Sequence, residues 1–246
     1  GRAPAFEEAL CSIQYQPSGT MVGEITPLLS KEALIYQALV CGTRDYVLKN
    51  NFPGVLLGLS GGIDSALTLA IAVDALGADK VQAVMMPSRY SAKQSRDDAL
   101  KQLEILGVSH STLSIEPMFQ AALSTLEPEF QGLSQDTTEE NIQARIRGLL
   151  LMALSNKTGK MVLTTSNKSE VAVGYSTLYG DMAGGFAVLK DVLKTEVYAL
   201  AHYRNSISAA IPNSVIERAP SAELRDNQKD QDSLPEYAVL DAIIEA

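Results

Sequence analysis

The chain has 246 residues, of which 46% are hydrophobic and 20% charged, and its formal net charge is −9 at pH 7. This length and balance suit one large α/β domain with a small accessory segment. The acidic balance disfavours nucleic-acid binding, which needs a basic face, and no apolar run is long enough to predict a membrane span. With no signal peptide and no cysteine pair spaced as a CxxC, we expect a cytoplasmic protein.

The first 29 residues differ from the rest of the chain. Prolines and glycines recur there, from Pro4 to Pro27, and no hydrophobic period is sustained. We therefore interpret residues 1–29 as a linker or an arm. The chain starts at Gly1 rather than at Met, which indicates a fragment or a processed protein. At Ser30 a helix N-cap candidate precedes an amphipathic run, so the domain is predicted to cover residues 30–246.

Apolar strand patterns and helical patterns alternate along this domain. Such alternation predicts βαβ units with right-handed crossovers, and hence an α/β fold with a doubly wound parallel sheet and helices on both faces. Two polar stretches are predicted as loops, a mobile active-site lid at 125–138 and an ordered or lid-like loop at 206–235. In chain order the pattern predicts helix 30–50, strand 55–59, helix 66–76, strand 81–86, helix 91–106, strand 111–115, helix 138–155, strand 161–165, helix 191–203 and helix 236–245.

The turn at 60–65, Ser-Gly-Gly-Ile-Asp-Ser, carries the clearest chemical signal. It lies between a buried strand and a helix, so glycine N–H groups and a helix N-terminus are available to phosphate oxygens. Ser60 and Ser65 add hydroxyl donors, whereas Asp64 would repel phosphate unless Mg²⁺ bridged the two. The turn has neither the lysine of a Walker P-loop nor the spacing of GxGxxG. Both serines and the acid make an ordinary glycine-containing βα turn a poor explanation.

These six residues resemble the PP-loop, S-G-G-x-D-S, of ATP pyrophosphatases, which cleave ATP to AMP and pyrophosphate while adenylating an acceptor. The rest of the chain, over about residues 30–245, resembles NAD synthetase. The matching stretches are N-I-Q-A-R-I-R at 141–147, T-S-N-K-S-E at 165–170, G-Y-S-T-L-Y-G-D at 174–181, the run at 190–194 and P-S-A-E-L at 220–224. The resemblance implies an adenine nucleotide alpha hydrolase-like fold. It also implies amidation of deamido-NAD through an NAD-adenylate, with ammonia as nitrogen donor, ATP as co-substrate and Mg²⁺ as cofactor.

The resemblance also assigns roles to individual residues. Asp64 and Lys194 are the implied catalytic residues, and Asp64 with Glu170, which follows the fourth strand of the domain, forms the expected Mg²⁺ site. The residues implied for ATP are Gly58, Leu59, Ser60, Gly61, Gly62, Ile63, Asp64, Ser65, Thr165, Lys194 and Ser221. The residues implied for deamido-NAD are Asn141, Arg145, Glu170, Tyr175, Ser176, Thr177 and Leu178.

Some of these residues have plainer interpretations from sequence alone. Lys194 would otherwise be a surface lysine of a helix, and Arg147 is expected to face solvent because it points away from Arg145 on the same helix. Asp191 is considered as the acid that takes a proton from ammonium.

Leu178 occupies a position where ammonia-dependent relatives carry a lysine, so the chain resembles the glutamine-dependent type. That type has an N-terminal glutaminase domain, which makes residues 1–29 the implied interdomain linker and the glutaminase domain an implied partner. The resemblance further implies a homodimer or higher homo-oligomer, and a basic C-terminal tail that this chain lacks. The alternatives are another PP-loop amidoligase, such as GMP synthetase, or a non-catalytic adenine-nucleotide-binding module. A module would not need both Asp64 and Glu170.

Overall fold

The computed structural model describes the whole chain, residues 1–246. The strands are β1 (Ile13–Tyr15), β2 (Met21–Gly23), β3 (Val55–Gly58), β4 (Val81–Met85), β5 (Ser109–Thr112), β6 (Met161–Thr164) and β7 (Phe186–Ala187). The last five form one sheet in the order β5-β4-β3-β6-β7, and every neighbouring pair is parallel. The order runs outward in both directions from β3, which confirms the predicted doubly wound sheet.

Helices cover both faces of this sheet because side chains along each strand alternate between two cores. Leu57 and Ala83 belong to the larger core, which α1, α2, α3 and α7 cover, whereas Leu56 and Val84 belong to a smaller core under α4 and α5. The helices are α1 (Lys31–Lys49), α2 (Ile63–Leu76), α3 (Lys93–Leu106), α4 (Glu116–Phe130), α5 (Thr137–Thr158), α6 (Lys168–Ala172), α7 (Lys194–Ile207), α8 (Asn213–Glu217) and α9 (Tyr237–Glu245).

The helix boundaries follow local signals in the sequence. The Ser30 hydroxyl accepts the N–H of Ala33 at 3.2 Å, which confirms the predicted cap of α1. Gly77 (φ +84°) ends α2 and Gly107 (φ +65°) ends α3, both with the positive φ that glycine adopts freely. These stops set the positions where β4 and β5 begin.

Several predicted boundaries differ from the structure, among them α7, which was predicted at 191–203 and extends over Lys194–Ile207. The stretch 125–138 is not one mobile loop, since α4 continues through Pro128 to Phe130 and only 131–136 separates it from α5. Phe119 of α4 is 1% exposed in the smaller core, so packing stabilises this helix despite its proline. The third strand of the sheet begins at Ser109 rather than 111, because its register pairs Gln82 with Ser109.

The two irregular stretches contain more structure than predicted. Within residues 1–29, β1 and β2 form a small antiparallel sheet whose side chains are mostly exposed. The stretch 206–235 contains α8 and a 3-10 turn at Asp230–Asp232. The short elements α6 and β7 were not predicted from the sequence. A bilayer crossing would need a longer and more apolar helix than any that this structure contains.

Candidate active site

The turn between β3 and α2 is closed by its own serines. The hydroxyls of Ser60 and Ser65 lie 3.1 Å apart, and Ser65 Oγ donates to the carbonyl of Gly62 at 3.0 Å. The Gly62 N–H donates to Ser60 Oγ at 3.2 Å. Asp64 then falls in the first turn of α2, at the carboxyl edge of the sheet. The serines therefore shape the turn as well as offering hydroxyl groups to a ligand.

Gly61 brings this turn into direct contact with α3. Its φ is +85°, and a Cβ built there would lie 2.1 Å from the carbonyl oxygen of Ser95. Gly62 is different, because its nearest neighbour would be Ser60 Oγ at 3.3 Å and its φ is not positive. Only the first of the two glycines is thus required by the fold.

Lys194 lies at the base of the cleft beside this turn. Its side chain is 2% exposed, and Nζ is 2.5 Å from Asp64 Oδ2 and 2.9 Å from Glu170 Oε1. Burial lowers the pKa of Lys194, but the attraction of Asp64 and Glu170 outweighs burial and raises it above the ordinary value. The interpretation of Lys194 as a surface lysine is therefore wrong, because α7 turns this side chain toward the two carboxylates while its neighbour Thr195 is exposed.

Glu170 has an unusual protonation equilibrium for a carboxylate. Burial, followed by the negative charge of Asp64, raises its pKa to about 7, although Lys194 works in the opposite direction. Two acids this close favour a cation between them. The site consequently holds more negative charge than one ammonium group neutralises.

Asn167 joins these two carboxylates. Its side chain is fully buried, its Nδ2 donates to Asp64 Oδ1 at 2.8 Å, and its Oδ1 accepts the N–H of Glu170 at 3.0 Å. It thereby caps α6 and orients Asp64 at the same time. Asn167 lies within the T-S-N-K-S-E motif at 165–170, but no local feature of the sequence predicted this role.

The donor set fits the Mg²⁺ site predicted at Asp64 and Glu170. Hard carboxylate oxygens from two elements face one position, and no cluster of three or more His, Cys, Asp or Glu side chains suited to a metal occurs in the chain. Mg²⁺ is often bound by one or two carboxylates, with phosphate and water completing its octahedron. Mg²⁺ binding at these residues stays a prediction.

A cleft of ≈ 540 Å³ opens above these residues, at the carboxyl ends of the strands. Five predicted site residues do not line it: Gly61, Gly62, Ile63, Arg145 and Leu178. The predicted residues that line it are Gly58, Leu59, Ser60, Asp64, Ser65, Asn141, Thr165, Glu170, Tyr175, Ser176, Thr177, Lys194 and Ser221.

The predicted deamido-NAD residues form the wall opposite the turn. Thr177 Oγ1 donates to Asn141 Oδ1 at 2.8 Å, and the Thr177 N–H donates to Asp181 at 2.6 Å. Arg145 is exposed and donates from Nε to the carbonyl of Leu178 at 3.3 Å. The structure thus brings Asn141 and Thr177 into the cleft and leaves Arg145 and Leu178 outside its lining.

Arg147 lines the cleft, so the expectation that it faces solvent is wrong. Its Nε donates to the carbonyl of Met86 at 3.1 Å, and no carboxylate lies within ion-pair distance of its guanidinium. Burial lowers its pKa to about 10, with the charge of Glu223 acting in the opposite direction. The cleft therefore contains a half-buried cation with unused N–H groups.

The segment around 220–230 closes the third side of the cleft. Glu223 accepts the N–H of Ala92 at 3.0 Å and the hydroxyl of Ser95, so it caps the start of α3. Gln143 Nε2 donates to the carbonyl of Leu224 at 2.8 Å. The lid-like interpretation of 206–235 thus corresponds to an ordered wall. The lining residues that sequence reasoning did not select include Glu140, Asp181, Gln228 and Asp230.

Asp191 lies apart from this cleft. Its side chain is 91% exposed and pairs with Lys168 Nζ at 2.9 Å, and it is not a lining residue. The structure therefore does not support Asp191 as a proton acceptor for ammonium.

Comparison with known proteins gives a consistent result. A family model described as NAD synthase matches residues 35–246. The glutamine-dependent NAD(+) synthetase of Acinetobacter baylyi is 57% identical over 249 residues, which cover 100% of this chain and 46% of the relative. This chain spans about half the length of such curated relatives.

Two solved structures are also similar. A glutamine-dependent NAD+ synthetase from Acinetobacter baumannii, in complex with ADP, has a TM-score of 0.86 and 53% identity, covering 99% of this chain and 44% of that one. NMN synthetase from Francisella tularensis has a TM-score of 0.79 and 31% identity, covering 88% of this chain and 87% of that one. The family match over most of the sequence, together with this shared architecture, shows that the chain belongs to the NAD synthase family.

Proposed function

We propose that this chain catalyses the ATP-dependent amidation of deamido-NAD to NAD, with ammonia as nitrogen donor and AMP and pyrophosphate as the other products. The observation that carries the proposal is the convergence of Asp64, Glu170 and Lys194 at the base of the cleft. Family membership supports the reaction class, since the relatives are NAD or NMN synthetases. Asp64 and Lys194 are the proposed catalytic residues.

The first proposed step joins the substrate carboxylate to ATP. A carboxylate oxygen attacks the α-phosphorus, the bond from that phosphorus to the bridging oxygen breaks, and pyrophosphate leaves. Lys194 and the N–H groups of the turn at 60–65 stabilise the charge that develops on the departing oxygens. No side-chain nucleophile is needed, so orientation and charge stabilisation supply the rate enhancement.

The second step forms the amide. Ammonia attacks the acyl carbon of the adenylate, the bond to the AMP oxygen breaks, and one proton leaves the nitrogen. The wall of Asn141, Tyr175, Ser176 and Thr177 is proposed to orient the acyl group. The segment that contains Ser221 and Glu223 covers the cleft and excludes the water that would otherwise hydrolyse the adenylate.

Mg²⁺ held by Asp64 and Glu170 would supply Lewis-acid neutralisation of the phosphate charge. The two carboxylates suit it chemically, because Lys194 alone leaves them with a net negative charge. When ATP and metal enter, we expect Lys194 to move its contact from the carboxylates to phosphate oxygens.

The longer relatives lead to a second part of the proposal. Because this chain covers under half of proteins named glutamine-dependent NAD(+) synthetase, we propose that a glutaminase domain supplies its ammonia. Residues 1–29 would then connect the two domains. A homodimer or higher homo-oligomer and a cytoplasmic location also remain predictions.

Pyrophosphate release by the 246-residue chain tests the function directly. The assay contains ATP, Mg²⁺ and ammonium with one acceptor at a time: deamido-NAD, nicotinate mononucleotide or xanthosine monophosphate. With deamido-NAD we expect sustained release over many turnovers only when free ammonium, rather than glutamine, is present, because ammonia must displace AMP from the adenylate before the next turnover. Nicotinate mononucleotide tests the substrate of the Francisella relative, and xanthosine monophosphate tests the GMP synthetase reaction.

The Asp64→Asn variant is the matched control for this assay. It should fold normally and release no pyrophosphate, because it loses a metal ligand and a partner of Lys194. Release at the wild-type rate by this variant would contradict the metal role. Absence of release by the wild-type chain with all three acceptors would favour a nucleotide-binding module.

A further inference from the structure

Helix α9 packs behind the phosphate end of the cleft without reaching it. It contacts α6 and α7, the two helices whose first turns carry Glu170 and Lys194. Neither Tyr237 nor Asp241 of α9 lines the cleft, although both are buried. Any influence of α9 on a ligand must therefore act through other residues.

Asp241 binds the N-terminal turns of both helices. Its Oδ2 accepts the N–H of Thr195 at 2.9 Å and the Thr195 hydroxyl at 2.8 Å, while its Oδ1 accepts the hydroxyl of Ser169. Ser169 directly precedes Glu170, and Thr195 directly follows Lys194. One carboxylate is thus bonded to the immediate neighbour of each of these two charged residues.

A further hydrogen bond closes this arrangement. The N–H of Lys194 donates to Ser169 Oγ at 2.8 Å, so the first turns of α6 and α7 are joined both directly and through Asp241. Asp241 is 3% exposed and pairs with no lysine or arginine. Its charge is instead stabilised by the hydroxyls of Ser169 and Thr195 and by the Thr195 N–H in the first turn of α7.

Tyr237 adds a contact one turn earlier on α9. Its ring centre lies 5.2 Å from Lys194 Nζ, and its hydroxyl donates to Asp230 at 2.8 Å. The ring face attracts the ammonium as a cation–π contact, in addition to its ion pairs with Asp64 and Glu170. The position of Lys194 is therefore defined from its backbone by Asp241 and from its head group by Tyr237.

We propose that Asp241 is a positioning residue of the phosphate site, which fixes the distance between Glu170 and Lys194 by holding the starts of α6 and α7 together. It touches no substrate and acts through these two residues. Its effect on catalysis rests on the proposed function, but its effect on ATP binding does not. A role in folding alone would predict lower stability without a specific loss of phosphate binding.

The first experiment compares two carboxylates that hold elements together: Asp241, which is buried, and Asp74, whose side chain is 27% exposed. Asp241→Asn is paired with Asp74→Asn, because Asp74 also holds neighbouring elements together, through Arg204 at 2.6 Å and Tyr36 at 2.7 Å, yet does not line the cleft. The 246-residue chain is a suitable unit, since it contains its own core. Calorimetry measures the dissociation constant of ATP·Mg²⁺, and thermal unfolding gives Tm.

We expect Asp241→Asn to weaken ATP·Mg²⁺ binding about tenfold, whereas Asp74→Asn changes it less than twofold at a comparable loss of Tm. The turnover number for pyrophosphate release should fall with Asp241→Asn more than KM for deamido-NAD rises. If Asp74→Asn weakens ATP binding as much as Asp241→Asn does, the positioning role is overturned.

A double-mutant cycle then tests whether Asp241 acts through Lys194. The double variant should bind ATP less than threefold more weakly than Lys194→Gln alone, because the side chain that Asp241 positions is already absent. An additive tenfold loss in the Lys194→Gln background would overturn the proposal. Should Asp241→Asn not fold, Ser169→Ala replaces it, since this change removes one bond to Asp241 and one to the Lys194 N–H.

These outcomes are separable from the proposed reaction. ATP binding is measured without an acceptor, so the cycle is informative even if deamido-NAD is not the substrate. Coupling between Asp241 and Lys194 with no amidation would support the positioning role and remove the proposed function. Amidation without coupling between Asp241 and Lys194 would support the proposed function and remove the positioning role.

Discussion

Replacing Gly61 by alanine isolates the part of the phosphate turn that only glycine can occupy. The substitution adds one methyl group, and its Cβ would lie 2.1 Å from the carbonyl oxygen of Ser95. The residue also has φ +85°, where an L-residue with a side chain is strained. Gly62→Ala is the matched control, since its Cβ would meet only Ser60 Oγ, at 3.3 Å.

The expected magnitude has two contributions. Placing alanine at positive φ costs about 1–2 kcal/mol. Relieving the contact requires the turn or α3 to move by roughly 1 Å, and such overpacking costs about 1–3 kcal/mol. Gly61→Ala should therefore lower the free energy of unfolding by about 2–5 kcal/mol, which corresponds to a fall in Tm of roughly 4–20 °C for a chain of this size. Gly62→Ala should cost less than about 1 kcal/mol.

Urea denaturation of the two variants, followed by circular dichroism, measures the difference. Binding of ATP·Mg²⁺ to the folded fraction then reports whether the displaced turn still accepts phosphate, and we expect Gly61→Ala to weaken it at least tenfold. Equal stabilities for Gly61→Ala and Gly62→Ala would refute the reasoning, because the two changes differ mainly in φ and in the approach of Ser95.

Three further predictions concern charged residues of the cleft. Burial and the charge of Asp64 raise the pKa of Glu170 to about 7, so its contribution to stability is present below pH 4.5 and is lost as pH rises through 7. Without metal, the free energy of unfolding of Glu170→Gln should therefore gain up to about 3 kcal/mol over that of wild type between pH 5 and pH 8. A pH-independent difference in urea unfolding would contradict this. Arg147→Met removes a half-buried cation that has no acidic partner, so Tm should stay equal or rise while KM for the acceptor or ATP increases about tenfold. A large fall in Tm would show that the guanidinium stabilises the fold. Glu223→Ala removes the two hydrogen bonds that the Glu223 carboxylate accepts from Ala92 and Ser95. Tryptic cleavage at Arg225 should then accelerate about tenfold or more. An unchanged cleavage rate would show that other contacts hold the segment.

The sheet and the phosphate turn were predictable because both depend on local pattern. Short apolar runs predicted the three central strands β3, β4 and β6 to within one residue, and the glycine turn at 60–65 follows directly after one of them. Helix α4 was not predicted at all. Its C-terminal part carries a proline and a polar composition, and only tertiary packing reveals the burial of Phe119.

The environment of the charged residues was harder to predict. Lys194 and Arg147 were both interpreted as surface residues from their helical surroundings. Lys194 is instead buried between two carboxylates, and Arg147 lines the cleft with the Met86 carbonyl, but no acid, as its partner. Their burial depends on which elements pack beside them, and α9 begins more than forty residues after Lys194. The family resemblance identified Lys194, but no local signal marked Arg147, Asn167 or Asp241.

The position where the strand order reverses has a consequence for how this architecture diversifies. Asp64 and Asn167 touch although 103 positions separate them in sequence, because parallel pairing of Val55 with Met161 and of Leu57 with Leu163 places the ends of β3 and β6 side by side. The intervening stretch includes α5, whose Asn141 lines the cleft and belongs to the proposed acceptor wall. Under the proposed function, we expect changes in this stretch to alter the binding of the acceptor while the contact between Asp64 and Asn167 persists.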